Sequence, residues 1–280
     1  MLASHLDPDR LADWIAATRA RTSVVEVAMA LSRFPDLQLL VFKGAHLAAL
    51  AGDARTYRFY DDVDVAVVRG SFDAAIGALR ADAQFSVSGA RQSALVRVRP
   101  SGGIVDLQRR ALPRFLAPNT NRLVLSRALR FDSHFGPQTW VPRAADAAVI
   151  SLAHLAKDGF LRRRVENAVV DLKILSELVT PADFAVAVAA LGARRAVIAS
   201  LAMLDERAPA GWLSALADAA EVKRIRRVAE WVRSTTPSSW GTNPFAHPLL
   251  ADRIADRLAG VAWGVVQSVR FATLRRLGKL

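Results

Sequence analysis

The spacing of apolar residues changes near residue 142, and no other feature of the sequence constrains the fold as strongly. Up to that point, short apolar runs of strand length alternate with helical patterns, and Gly, Pro and Asp turns separate them. After a helix over 9–34, strands are predicted over 37–42, 63–68, 85–88, 94–99 and 104–108, with a hairpin of 128–131 and 139–141. Beyond residue 142, helices are predicted over 144–157, 162–178, 181–191, 194–204, 213–232 and 249–274. We therefore predict an α+β fold, with a mixed domain over residues 1–142 and a helical domain over residues 143–280.

Composition excludes several classes of protein. The chain contains no cysteine, which excludes a disulfide framework, thiolate zinc sites, iron–sulfur clusters and cysteine nucleophiles. We see neither a secretory signal nor an apolar run near the roughly 18 residues of a membrane span, so we expect a cytoplasmic protein. The 38 Lys and Arg residues exceed the 26 Asp and Glu residues by +12, mostly as Arg, which favours a phosphate-rich partner such as nucleic acid. A GC-rich genome explains the same Arg and Ala content equally well.

An acidic pair begins the second predicted strand. Side chains alternate along a strand, so Asp62 and Asp64 project from one face, while Asp61 points the other way and is expected to be a structural or capping residue. Two carboxylates on an apolar strand are costly unless they are solvated or bound to a cation. Oxygen ligands of this kind suit Mg²⁺. The alternative interpretation is an exposed turn before the strand.

Two further segments favour a phosphate and metal site. Lys43-Gly44 ends one predicted strand and opens a helix, where free N–H groups, a glycine and an ammonium group suit a triphosphate. An ordinary strand-to-helix turn explains this dipeptide by itself. Asp106 is an isolated acid in an apolar strand that could lie beside the Asp62 strand. Three acids on adjacent strands form the kind of two-metal site that serves phosphoryl or nucleotidyl transfer.

These segments together resemble the nucleotidyltransferases of the polymerase-β superfamily over roughly residues 37–178. The resemblance is closest to an uncharacterised nucleotidyltransferase family and more distant to abortive-infection nucleotidyltransferase toxins. It implies a mixed-sheet nucleotidyltransferase core in which Asp62, Asp64 and Asp106 hold two Mg²⁺ ions, or Mn²⁺ in their place, and carry out catalysis.

The resemblance also implies a set of nucleotide-binding residues. Lys43 and Gly44 match the turn that holds the triphosphate, and Arg58 matches a basic residue four positions before the acidic pair. In the helical half, His154 and Lys157 match an H-x-x-K motif, in which the lysine would neutralise phosphate charge and the histidine would touch the nucleotide. A packed helix histidine and a solvated surface lysine explain them equally well.

The sequence departs from the resemblance at two positions, and one more acid accompanies the helical motif. Lys43 stands where most of the superfamily has Gly or Ser, although Lys-Gly is usual in the uncharacterised branch. Gln108 follows the third acid where that branch commonly has His, in a His-Trp-Arg run. Asp171 in the next helix is expected either to orient His154 or Lys157 or to form a helix–helix salt bridge.

We therefore expect an Mg²⁺-dependent nucleotidyltransferase that transfers NMP from an NTP to an acceptor hydroxyl and releases pyrophosphate. Basic charge and the toxin resemblance favour RNA as the acceptor, in particular a tRNA 3′ end, with an antitoxin as partner. A small molecule or peptide in a biosynthetic pathway is the alternative acceptor. A non-catalytic nucleic-acid-binding protein on the same scaffold and a phosphotransferase acting on the γ-phosphate are the competing hypotheses. Candidate polynucleotide contacts are Arg162, Arg163, Arg164, Arg109, Arg110 and Arg114, although a solvated charged turn explains the first three as well.

Overall fold

A mixed seven-stranded sheet forms the centre of the first part of the chain. The computed structural model describes residues 8–51, 60, 62–90, 92–112, 116–117, 120–236 and 249–252, together with residues 255, 258 and 262. The strands are β1 (Gln38–Phe42), β2 (Asp62–Arg69), β3 (Phe85–Ala90), β4 (Ser93–Val98), β5 (Ile104–Gln108), β6 (Leu129–Arg130) and β7 (Thr139–Val141). Their order in the sheet is β3-β4-β5-β2-β1-β7-β6. Every strand overlaps a predicted range, and the predicted α+β class is confirmed.

The sheet contains four antiparallel pairs and two parallel pairs. β1 pairs with β2, β3 with β4, β4 with β5, and β6 with β7 in antiparallel fashion. The pairs β2–β5 and β1–β7 are parallel, because a long connection returns the chain to the same end of the sheet before each second strand begins. This parallel placement of β2 and β5 positions the acidic residues described below.

Helices pack on one face of the sheet, and the acidic residues lie on the opposite face. The helices of this part are α1 (Pro8–Leu31), α2 (Gly44–Ala51), α3 (Phe72–Ala81), α4 (Thr120–Arg127) and α5 (Asp132–Phe135). Apolar residues of α1 and α3 share a buried core with Val63, Val65, Val105 and Leu107 of β2 and β5. Since side chains alternate, the residues between these four project from the opposite face. The short helices α4 and α5 were not predicted. α5 has only four residues, and the apolar residues of α4, at 123–125, are consecutive rather than at helical spacing.

The second part of the chain is helical. It contains α6 (Ala144–Lys157), α7 (Arg162–Ser176), α8 (Pro181–Leu191), α9 (Arg194–Leu204), a 3₁₀ turn (Asp205–Arg207) and α10 (Ala219–Thr235). The predicted helix over 213–232 was wrong at its start, because residues 210–216 form turns after Pro209 and the side chain of Asp218 caps α10 by accepting the N–H of Glu221 at 2.8 Å. Most of the helix predicted over 249–274 lies outside the described residues.

The chain divides into two compact units. Residues 1–111 and 121–147 make up the first unit, and residues 112–120 and 148–280 make up the second. The division into a catalytic domain over 1–142 and a helical domain over 143–280 stays a prediction. None of the helices that the structure describes combines the length and apolar character needed to cross a bilayer.

Candidate nucleotidyl-transfer site

Two of the predicted acids lie side by side on neighbouring strands. β2 and β5 run parallel with Asp64 directly opposite Asp106 in the register, and Asp62 lies opposite Ile104. Register partners project to the same face of a sheet, so all three predicted acids share the face that the apolar core does not use. Asp62 is exposed, whereas Asp64 and Asp106 are half-buried. The structure therefore brings Asp64 and Asp106 together, with Asp62 two residues earlier on the same face.

An amide group that sequence reasoning missed connects these two carboxylates. Gln108 Nε2 donates one hydrogen bond to Asp64 Oδ1 at 2.7 Å and another to Asp106 Oδ2 at 2.8 Å. The Gln108 side chain is buried, with 9% of the residue exposed. One donor thus draws an oxygen from each strand toward the same point. The signal that could have identified it is its spacing, since Gln108 follows Asp106 by two residues and shares its face.

Lys43 brings a positive charge to the same carboxylate. Its Nζ lies 2.7 Å from Asp64 Oδ1, and the two side chains are 13% and 15% exposed. Lys43 directly follows Phe42, which is the register partner of Asp64 across the β1–β2 pair. Asp64 therefore receives an ammonium and an amide donor on the same oxygen, which balances the cost of its partial burial.

The backbone of Lys43 adopts the left-handed conformation, with φ of +58°. Its carbonyl accepts the N–H of Leu47 at 2.9 Å, so Lys43 is the residue at which the hydrogen bonding of α2 begins. Glycine reaches this conformation without strain, whereas an L-residue pays about 1–2 kcal/mol. The turn geometry therefore favours glycine at this position. That a lysine occupies it in spite of the backbone strain indicates that its side chain has a role here.

The chemistry of the donor set fits a divalent cation in part. Mg²⁺ is usually held by one or two carboxylates together with water and substrate phosphates, and Asp64 and Asp106 supply two converging carboxylates. Within the described parts of the chain, no group of three or more His, Cys, Asp or Glu side chains has the geometry to hold a metal ion. The first residues of α2 offer backbone N–H groups for an anion next to Lys43.

Other predicted contacts lie elsewhere or are engaged in different interactions. Arg58 and Arg114 lie outside the described residues, as does Asp61. Arg109 donates to Asp73 at 2.6 Å, and its guanidinium carbon lies 4.7 Å from the centre of the Phe72 ring. This arginine is therefore held against α3.

His154 and Lys157 belong to the second compact unit. His154 is 5% exposed, and Lys157 Nζ lies 3.7 Å from Asp158 Oδ1. Asp158 also pairs with Arg164, whose Nε lies 3.3 Å from Oδ2. Burial of the imidazole and pairing of the lysine are what a structural role requires, so the nucleotide-binding roles of both residues stay predictions.

Asp171 has a partner that the sequence analysis did not name. The Ser151 hydroxyl donates to Asp171 Oδ2 at 3.3 Å, and both side chains are buried. This contact joins α6 to α7 within the second unit.

His46 is a buried titratable residue close to the phosphate turn. It lies in the first turn of α2, two residues after Gly44, and is fully buried. Neither ring nitrogen has a hydrogen-bond partner among the residues that the structure describes. Burial lowers the pKa of His46 to about 3, so the imidazole is neutral at physiological pH. The sequence predicts no role for His46, because a single histidine has no metal-ligand spacing.

The chain is similar to one family of known proteins. A family model described as "Uncharacterised nucleotidyltransferase" matches residues 2–209 of the 280 residues. No curated protein and no solved structure matches the chain. The matched span contains β1, β2, β5 and α6, and it ends before α10 begins. The predicted relationship to this family is thereby confirmed, and the comparison does not extend to the toxins.

Proposed function

We propose that this chain, which belongs to the uncharacterised nucleotidyltransferase family, transfers a nucleoside monophosphate from an NTP to an acceptor hydroxyl in an Mg²⁺-dependent reaction. Membership of the family supports nucleotidyl transfer as the general reaction. The observation that carries the proposal furthest is the convergence of Asp64 and Asp106 on one amide donor, with Lys43 on the same carboxylate. The cytoplasm, where NTPs are abundant, is the proposed location.

The residues of the first unit divide the work of the reaction. Lys43 and the N–H groups at the start of α2 bind the triphosphate, whose oxygens compete with Asp64 for the ammonium group. Gln108 keeps the two carboxylates at a fixed separation. The acceptor oxygen forms a bond to the α-phosphorus as the bond from that phosphorus to the leaving pyrophosphate breaks. The hydroxyl proton passes to a carboxylate oxygen, for which Asp106 is the proposed acceptor.

The site residues fit the metal chemistry that such a reaction requires. Asp64 and Asp106, with Asp62 on the same face, would hold the divalent cations, and Mn²⁺ would serve in place of Mg²⁺. The bound metal would neutralise phosphate charge and lower the pKa of the acceptor hydroxyl. In the helical unit, Lys157 and His154 are proposed to contact the nucleotide, and Arg58 is proposed to contact it from the segment before β2.

RNA is the proposed acceptor, in particular the 3′ end of tRNA, in a toxin-like reaction with an antitoxin as partner. The formal net charge of +12 supports a polyanionic acceptor. A hydroxyl of a small molecule or peptide in a biosynthetic pathway is the alternative acceptor for the same chemistry.

Incubation with Mg²⁺ and each α-labelled NTP, with and without total tRNA, tests this proposal. Asp64→Asn and Asp106→Asn should abolish transfer, since each removes one charge with little change of shape. Asp36→Asn is the matched control, because Asp36 is an exposed acid of the same unit away from the site. Release of pyrophosphate identifies nucleotidyl transfer, whereas release of NDP identifies γ-phosphate transfer. Full activity of both site variants would show that these carboxylates are not catalytic.

A further inference from the structure

Helix α10 has one face that the fold uses and one that it does not. Its buried residues Ile225, Ala229 and Val232 form a stripe at helical spacing, and α10 packs against α9. The helix begins after residue 209, where the family match ends, so membership of the family does not account for its sequence. The outward face of α10 therefore needs an explanation from this chain alone.

The opposite face of α10 concentrates unpaired positive charge. Lys223, Arg224 and Arg227 are exposed there, and none of them forms an ion pair with any residue that the structure describes. Arg226 on the flank behaves differently, since it lies 3.2 Å from Asp205 and 3.3 Å from Glu230. Like charges spaced as Lys223 and Arg227 are, four residues apart on one helix, destabilise the helix. Arg224 interacts favourably with the charge of Glu221, which is three residues earlier, but Lys223 and Arg227 form no ion pair with a described residue. The fold therefore gains little from this cluster, and its charge suits an anionic partner.

An exposed aromatic ring lies next to this charge, one helical turn after Arg227. Trp231 is 52% exposed, and it follows Arg227 by four residues and Arg224 by seven, so the three side chains share one stripe. A solvent-exposed indole beside cations offers a flat stacking surface next to groups that bind phosphate.

We propose that the basic face of α10, formed by Lys223, Arg224, Arg227 and Trp231, binds single-stranded RNA. The cations would contact successive phosphates, and a base would stack on Trp231, which requires a strand whose bases are not paired. A membrane surface fits less well, because an interfacial helix inserts a broad apolar face and the apolar stripe of α10 is already buried within the fold. The proposal does not depend on nucleotidyl transfer, since it concerns binding alone.

Fluorescence anisotropy of a labelled 12-nucleotide RNA, titrated with the full chain at several salt concentrations, tests the proposal. Arg224→Ala/Arg227→Ala should weaken binding and reduce the salt-dependence slope by about 1.4, at about 0.7 for each phosphate contact on a single strand. The matched control is Arg97→Ala/Arg99→Ala, which removes the same charge from exposed positions of the first unit. Trp231→Ala should weaken binding about tenfold or more, while Trp231→Phe retains most of the affinity.

Several outcomes would overturn the proposal. These are equal losses from the two double variants, no effect of Trp231→Ala, and binding of anionic phosphatidylserine vesicles in preference to RNA. A labelled single-stranded DNA of the same length is titrated in parallel. Equal affinity for it would support the binding surface and show that this surface recognises bases and phosphates rather than 2′-hydroxyls. Asp64→Asn should abolish nucleotidyl transfer but retain RNA affinity. The transfer assay and the RNA titration therefore test the two proposals separately.

Discussion

Replacing Lys43 tests whether the fold imposes the left-handed turn at the site. Lys43→Ala removes the ion pair to Asp64 but retains the backbone strain at φ of +58°. Loss of a hydrogen bond to a charged group costs about 1.5–3 kcal/mol, so the alanine variant should be less stable by about that amount. Lys43→Gly loses the same pair but recovers the strain of about 1–2 kcal/mol, less about 0.4–1 kcal/mol for the more flexible unfolded chain. The glycine variant should therefore be more stable than the alanine variant by roughly 0.5–1 kcal/mol.

Urea unfolding of the two Lys43 variants measures this difference directly, provided that both have the same dependence on urea. The matched control is Arg97→Gly against Arg97→Ala in β4, where φ is not positive and glycine should be the less stable of the two. In transfer assays, both Lys43 variants should show an increased KM for NTP, since each lacks the ammonium group. An alanine variant as stable as the glycine variant would refute the argument that the turn is strained.

Three further changes have expected outcomes. Gln108→Leu leaves two carboxylates without their shared donor, so it should lower the free energy of unfolding by about 1–3 kcal/mol, as measured in urea. It should also weaken Mn²⁺ binding, as measured by calorimetry. If both quantities are unchanged, Gln108 does not position the carboxylates. Gly103→Ala should destabilise the protein by about 1–3 kcal/mol, because the added Cβ would collide with the Ser23 hydroxyl. Gly77→Ala should stabilise it by about 0.5–1 kcal/mol, because a Cβ there meets nothing within 4 Å. Thermal unfolding compares the two variants, and similar shifts in Tm would contradict the packing. Burial lowers the pKa of His46 to about 3, from 6.5 in the unfolded chain. The contribution of the neutral imidazole to the free energy of unfolding is therefore fully present above pH 6.5 and is lost as the pH falls toward 3. His46→Leu should unfold at lower pH than the unaltered protein in an acid titration, and an identical midpoint would show that His46 does not drive acid unfolding.

Alternation of side chains made part of the site predictable. Asp62 and Asp64 were placed on one face from their spacing alone, and the apolar residues around Asp106 identified β5 as a strand. The partner of a strand is set by tertiary packing, so the sequence could only suggest that β5 lies beside β2. The structure supplies that pairing and its register, with Asp64 opposite Asp106.

Other features were not visible in the sequence for identifiable physical reasons. The spacing of Gln108 from Asp106 places the two on one face, but its other acceptor, Asp64, is 44 residues away and comes within reach only through the pairing of β2 with β5. The left-handed backbone of Lys43 is a property of the turn that no side-chain spacing reports. At 213–218, the apolar spacing predicts a helix, but the chain turns at Gly211, whose φ is +78°, and α10 begins only at Ala219, after its N-cap Asp218.

The parallel pairing of β2 with β5 has a consequence for how the site comes into being. Between these two strands the chain makes an excursion through α3, β3 and β4, and the contact from Gln108 back to Asp64 spans 44 residues. Closing so long a loop costs conformational entropy, and only the pairing and packing of the completed sheet offset that cost. A nascent chain that ends before β5 therefore carries Asp64 without Asp106, and the proposed catalytic pair is incomplete until β5 has been added. Loss of transfer activity should accordingly coincide with global unfolding of the first unit, in a single transition.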